Sequence, residues 1–108
     1  MTVRELTEDG LFEPVVLADG EREITGVYIG DLLSWVMGRA GSGDAWITIM
    51  SNANILAVAT LADTACIILA EDVAPDDGVA ELAAAKQINL LRSRHSAYET
   101  AVLLHQRL

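Results

Sequence analysis

The chain has 108 residues, a length that suits one domain with a single core and no need of disulfides. Hydrophobic residues make up 52% of it, and its formal net charge is −9, from 16 acidic and 7 basic residues. Because nucleic acids and anionic membrane surfaces recruit positive charge, this composition excludes both classes of partner.

The chain shows no signal for export or membrane insertion. No apolar run reaches the roughly 18 residues that cross a bilayer. The opening residues, MTVRELTEDG, lack the basic-then-apolar order of a signal peptide, so we expect a cytoplasmic protein. The single cysteine, Cys66, lies in the apolar run ACIILA and is predicted to be a buried, unreactive thiol.

The first predicted elements are a short helix and a strand. Thr2 and Glu5 have the spacing of a capping box, which predicts a helix over 2–9. EPVVL, at 13–17, is predicted to be a strand, and Pro14 favours a position at the sheet edge.

From residue 23 onwards, strands and helices alternate. EITGVYI (23–29) predicts a strand, and Asp31 is placed to cap a helix over 32–40. AWITI (45–49) predicts a buried strand, followed by a helix over 54–63.

The same alternation continues to the C-terminus. ACIIL (65–69) and INLL (88–91) predict strands, with a helix over 77–86 between them. Ser96 and Glu99 form a second capping-box pattern, which opens the last helix. Helices between strands that are apolar on both faces predict an α/β fold, with a small, mostly parallel sheet covered by helices in a single domain, 1–108.

Two helices carry candidate interface residues. From Ile55 to Ala62 all residues but Thr60 are apolar, so this helix needs cover on more than one side, either from a second subunit or from loops and the terminal helix. Trp35 points away from the apolar face of its own helix, which favours a partner or ligand contact. The predicted interface residues are Trp35, Leu56 and Ala59.

The junction EITGVYIGD has the features of a ligand-binding turn. Thr25 supplies a hydroxyl, Gly26 permits close backbone approach, and Gly30 precedes a helix whose first N–H groups are free. The alternative is that both glycines serve only a bulge and a turn. Ligands of parallel α/β sheets collect at the carboxyl ends of strands, where five further candidate residues are expected. They are Asp31, Ser51, Asn52, Asn54 and Glu71.

The predicted site favours a neutral or cationic ligand, or the ribose and base of a nucleoside. It has almost no cation, and the Asp31 carboxylate would repel a phosphate. No catalytic residue, metal or cofactor is predicted. Ser96 and Glu99 beside His95 are explained by helix capping, and His105 lies too far around the helix to share an ion with His95. The acidic turn before the helix at 77–86 could hold a divalent cation or simply be solvated.

Much of the chain resembles the DRTGG domain family. The resemblance rests on EREITGVYIGDLLSWVMGRAGSGDAWITI (21–49) and NILAVATLADTACIIL (54–69), and it continues through HSAYE (95–99). These domains are similar to the N-terminal domain of bacterial HPr kinase/phosphorylase, a parallel-sheet α/β domain. They often accompany CBS pairs or enzymatic domains, so the resemblance implies a sensor or assembly module. It implies a fold and a context, and no catalytic mechanism.

The chain departs from the family pattern in three respects. The Asp-Arg of the family name stands here as Glu21-Arg22, and Thr25-Gly26 is displaced from it. A Thr-His-x-Asn pattern is replaced by Ser-Asn-Ala-Asn at 51–54, without the histidine. A Walker A loop is absent, so kinase activity is not carried over.

The sequence therefore favours two non-enzymatic functions over an enzymatic one. The first is a non-catalytic regulatory module that binds a small effector or a protein partner and self-associates as a homodimer or larger homo-oligomer. The alternative is a purely structural interaction domain without a small ligand. A polar pocket at the strand ends favours the first.

Overall fold

The computed structural model describes all residues, Met1–Leu108. Five helices and five strands follow one another in the order α1 Val3–Thr7, β1 Glu13–Val16, β2 Gly26–Ile29, α2 Leu33–Arg39, β3 Asp44–Thr48, α3 Asn54–Ala62, β4 Cys66–Leu69, α4 Val79–Ala85, β5 Leu90–Arg92 and α5 Ala97–Arg107. No helix combines the length and the apolar composition needed to cross a bilayer.

The strands form one sheet in the order β1-β5-β4-β3-β2. Neighbours from β2 to β5 are parallel, and β1 pairs antiparallel with β5. The predicted α/β class with a mostly parallel sheet is confirmed. Pro14 lies in the edge strand β1, as its missing N–H requires.

Strand alternation divides the core into two layers. Ile47 and Ile68 pack on one face with Leu104 of α5 and residues of α1. Trp46 and Ile67 pack on the other face with residues of α2, α3 and α4. The sheet is therefore covered on both sides, which explains why its central strands are apolar throughout.

The strand β2 is shorter than predicted. Residues 23–25 are not part of it, because Glu23 forms an isolated bridge with Thr2 and Ile24 N–H donates to the carbonyl of Met1. Glu23 and Ile24 therefore pair with the N-terminal residues Thr2 and Met1, and not with a strand of the sheet. The capping box at Thr2 is confirmed, with Glu5 N–H donating to Thr2 Oγ1 at 3.2 Å and Thr2 N–H donating back to Glu5.

Only half of the second capping box forms. Glu99 N–H donates to Ser96 Oγ at 3.1 Å, but the Glu99 carboxylate lies 3.3 Å from His95 Nδ1 instead of returning to the helix N-terminus. At the other end of α5, Leu108 is 52% exposed and does not continue the buried face at Leu104.

The apolar helix α3 is covered by the sheet and by α2, and not by the terminal helix, which packs on the opposite face. Leu56 and Ala59 are buried within the chain itself. The prediction that they form an interface is therefore wrong, because the sheet and α2 of the same chain already cover their side chains. Leu61, 72% exposed, is the large apolar residue that α3 leaves uncovered.

Candidate functional site

Six of the eight predicted ligand-binding residues lie along the carboxyl edge of the parallel strands, and two do not. Gly30 and Asp31 follow β2, residues 51–54 follow β3, and Glu71 follows β4. Thr25 and Gly26 lie at the opposite, amino edge, about 13 Å away along β2. Their expected place in the same site was wrong, because the strand begins only at Gly26.

The prediction that Asp31 caps α2 is wrong. The helix has Leu32 at its N-cap, without a side-chain hydrogen bond. The Asp31 carboxylate accepts from Thr48 Oγ1 at 2.8 Å and from Ile49 N–H at 2.9 Å, and so ties the end of β2 to the end of β3.

Gly30 is also engaged in the structure. Its N–H donates to the carbonyl of Ile47 at 3.1 Å, and its carbonyl accepts from Trp46 Nε1 at 2.9 Å. A Cβ at this position would lie 2.9 Å from Cε2 of Tyr28. Close packing against that ring accounts for the glycine.

The polar residues after β3 organise their own loop. Ser51 Oγ donates to Asp76 Oδ1 at 2.8 Å, and Asn52 Oδ1 accepts from Asn54 N–H at 2.9 Å. Asn54 is exposed at the start of α3. These bonds hold the loop after β3 against the loop before α4. The Asn54 side chain takes part in neither of them.

Glu71 and Asp72 form an unusual turn after β4. Both have φ +60°, a left-handed conformation that costs a non-glycine residue on the order of 1–3 kcal/mol. Glu71 Oε2 accepts from Ala97 N–H at 2.9 Å, and Glu71 N–H donates to the carbonyl of His95 at 2.8 Å. The turn therefore fixes the start of α5 against the end of β4.

A cavity of about 380 Å³ opens beside this turn, at the carboxyl ends of β4 and β5. Only one of its lining residues is hydrophobic; the lining is Gly10, Leu11, Glu13, Asp72, Arg92, Arg94 and His95. None of these was among the predicted site residues. One signal was visible in the sequence, since Arg92 and Arg94 are the two basic residues that flank a single position, Ser93.

The two arginines of the cavity have different surroundings. Arg92 is fixed by two backbone hydrogen bonds: its Nε donates to the carbonyl of Val73 at 2.9 Å, and one Nη donates to the carbonyl of Asp72 at 2.8 Å. Its guanidinium also lies 3.2 Å from Asp72 Oδ1 and 3.7 Å from Glu13 Oε2. Arg94 is exposed and takes part in none of the ion pairs of the chain.

Thr25 belongs to a second polar cluster, at the amino edge. Its Oγ1 donates to the carbonyl of Ser42, while Ser42 Oγ donates to Asp63 Oδ2. Arg22 donates to Asp63 Oδ1 at 3.1 Å and to the Asp63 carbonyl at 2.9 Å. The hydrogen bonds from Arg22 and then Ser42 lower the pKa of Asp63 below its usual value. Asp63 closes α3 with φ +58°, so this cluster joins the start of β2 to the end of α3.

The structure contains neither a cluster of potential metal ligands nor an activated thiol. No group of three His, Cys, Asp or Glu side chains is placed to hold a metal ion. Cys66 is fully buried, as predicted, and burial raises the pKa of its thiol to about 12.

Trp35, the remaining interface candidate, is 54% exposed on α2, with the Arg39 guanidinium 4.1 Å from its ring centre. Leu32, one turn before it, is 61% exposed. The apolar face formed by Leu32 and Trp35 is available for contact.

Comparison with known proteins identifies the family. A family model for the DRTGG domain matches residues 15–107, nearly the whole chain. The chain belongs to the DRTGG domain family. In this DRTGG domain, residues 21–26 contain Glu21-Arg22 and Thr25-Gly26, the counterparts of the residues in the family name. They lie at the amino edge of the sheet, and none of them lines the cavity.

One solved structure has the same fold as this DRTGG domain. It contains the CBS and DRTGG domains of the regulatory region of Clostridium perfringens pyrophosphatase, complexed with the activator diadenosine tetraphosphate. The match has a TM-score of 0.68 at 18% sequence identity, and it covers 90% of this chain and 43% of the other. This chain thus spans less than half of the regulatory region that it matches. No match was found among curated proteins.

Proposed function

We propose that this DRTGG domain is a non-catalytic regulatory module that binds a small effector in the cavity at the carboxyl ends of β4 and β5. The cavity itself carries the proposal: it has the volume of a small-molecule site and a charged lining, and it lies at the edge where parallel α/β sheets hold their ligands. We favour a nucleotide or nucleoside. The related pyrophosphatase region, whose activator is a dinucleotide, supports that class.

A regulatory role agrees with what surrounds the cavity. His95 is engaged by Glu99, and Ser96 Oγ accepts a helix N–H, so neither is arranged as a base beside a nucleophile. The Glu71–Asp72 turn connects the cavity wall to the start of α5. A ligand that contacts Asp72 would therefore act directly on the position of that helix.

We further propose that the domain self-associates, with the exposed face of Leu32 and Trp35 against a second copy. The same face supports the alternative function, a structural interaction domain without a ligand. We place the protein in the cytoplasm, where an unpaired Cys66 stays reduced.

A thermal-shift screen with light scattering on the same sample tests these functions. The panel contains nucleotides, nucleosides, metal ions and common metabolites. A regulatory module is expected to melt several degrees higher with one ligand class at a concentration far above its Kd. A stable dimer whose melting temperature no compound changes would contradict effector binding and support the structural alternative.

A further inference from the structure

We propose that the cavity recognises its effector through a phosphate group, and that Arg94 is the residue that binds this group. This inference rests on the proposed function and specifies the chemistry of the ligand. The sequence alone instead favours a neutral or cationic ligand at the ends of β2 and β3, where the Asp31 carboxylate would repel a phosphate.

The charges of the cavity wall leave one group without a counterion. Two carboxylates, Glu13 and Asp72, face into it, and both lie within ion-pair distance of Arg92. Arg92 also donates from Nε and one Nη to two backbone carbonyls, which fix its position. Its other Nη lies 3.7 Å from Glu13 Oε2. Without Arg94 the lining would carry a net negative charge, because two carboxylates face one guanidinium. Arg94 supplies the second positive charge, and no carboxylate of the chain pairs with it.

The position of Arg94 suits capture of an anion. It lies two residues after Arg92 and lines the same cavity, while Ser93 between them is buried. A guanidinium presents two parallel N–H donors that match two oxygens of a phosphate. Arg94 forms no ion pair with the carboxylates of this acidic chain, so its guanidinium is free to bind an anion from outside.

The size and polarity of the cavity select among anions. A volume of about 380 Å³ is at the lower end of small-molecule sites, enough for a phosphate and part of the group that carries it. Leu11 is the single hydrophobic residue of the lining. An extended apolar ligand would find little to contact, whereas a phosphorylated polar molecule would.

Calorimetric titration of the full chain at low ionic strength tests the inference, with ADP and inorganic pyrophosphate as probes. Adenosine is the uncharged counterpart of ADP, and citrate tests a carboxylate source. We expect both phosphate probes to bind and adenosine to bind far more weakly. Arg94→Gln should weaken ADP binding at least about tenfold, because a hydrogen bond to a charged group is lost, with Arg94→Lys between the two. Arg39→Gln, an exposed arginine on α2, is the matched control and should bind like the unaltered chain.

Three results would overturn the inference. They are equal binding of ADP and adenosine, unchanged ADP affinity in Arg94→Gln, and no binding of either phosphate probe. Binding of citrate alone, lost in Arg94→Gln, would reassign the site to carboxylates. Failure of the proposed function is a separate result, in which no compound of the wider panel, charged or neutral, binds at all.

Discussion

The carboxylate of Asp44 lies against the backbone of Gly26, and it accepts a hydrogen bond from Gly41 N–H at 2.7 Å. A Cβ at position 26 would meet Asp44 Oδ1 at 2.5 Å. The Thr25–Gly26 step of EITGVYIGD is thus explained by contacts within the chain, and Gly30 by the ring of Tyr28. At the scale of single residues, the glycines that first indicated a ligand site are required by packing.

Gly26→Ala is expected to destabilise the protein by about 1–3 kcal/mol, because the added methyl group must displace Asp44 from its turn. Gly38→Ala is the matched control: position 38 is exposed in α2 and a Cβ there meets nothing within 4 Å. It should stabilise by about 0.5–1 kcal/mol through helix propensity. Urea unfolding measures both. Equal stability of Gly26→Ala and the unaltered chain would contradict the packing explanation.

Arg22 and Asp63 predict a pH-dependent contribution to stability. The folded-state pKa of Asp63 is lowered, chiefly by its hydrogen bond from Arg22. The group therefore stabilises the fold above its unfolded-state pKa of about 4, and this stabilisation is lost as the pH falls through the folded-state value. Arg22→Met should be less stable than the unaltered chain at pH 7, and the difference should narrow below pH 4.

Urea unfolding across this range measures the effect. The comparison variant is Arg39→Gln, whose arginine lies over a tryptophan ring and pairs with no carboxylate. Its effect on stability should stay constant with pH. A constant difference for Arg22→Met as well would show that the Asp63 carboxylate is not the source.

The junction of β5 and α5 shows what the sequence could and could not predict at the scale of elements. The order of helices and strands followed from apolar periodicity and from helix caps, which are local in sequence. The contacts that build the junction join distant residues, such as Glu71 with Ala97 and Arg92 with Val73. No local pattern encodes these pairs, so the cavity that they enclose was not predicted.

A buried hydrogen bond holds this junction together. Ser93 Oγ and Thr100 Oγ1 are 2.8 Å apart, and both residues are almost fully buried. Thr100→Val should destabilise the protein by about 1–3 kcal/mol, because Ser93 keeps a buried hydroxyl without this partner. Thr100→Ser retains the hydroxyl and should lose less in thermal and urea unfolding. A greater loss for the serine variant would mean that packing of the methyl group, and not the hydrogen bond, dominates.

At the scale of the whole molecule, the fold class and the family resemblance in the sequence were both confirmed, because they depend on patterns spread over the full chain. The location of the candidate site was only partly predictable. We still place the site at the carboxyl edge of the sheet. The ends of β2 and β3, however, are closed by the hydrogen bonds that Asp31 accepts and that Ser51 donates. The open region is the cavity at β5, whose lining residues come from three separate chain segments.

Self-association is a property of the whole molecule that the α2 face predicts. We expect light scattering to show a dimer for the unaltered chain and a monomer for Trp35→Lys. Because Trp35 is half exposed, the melting temperature should fall only by what dimerisation itself contributes. Tyr98→Lys, at a 77% exposed position on α5, is the control and should remain dimeric. A Trp35→Lys dimer as stable as the unaltered one would exclude this face.

The location of the effector site is the central claim, and an amide chemical-shift map of the full chain titrated with ADP tests it most directly. We predict that the largest shifts occur at Gly10, Leu11 and residues 92–95, and that they spread through Ala97 into α5. Shifts confined to Gly30, Asp31 and residues 52–54 would instead place the ligand at the ends of β2 and β3. That result would contradict the assignment of the site to the β5 cavity.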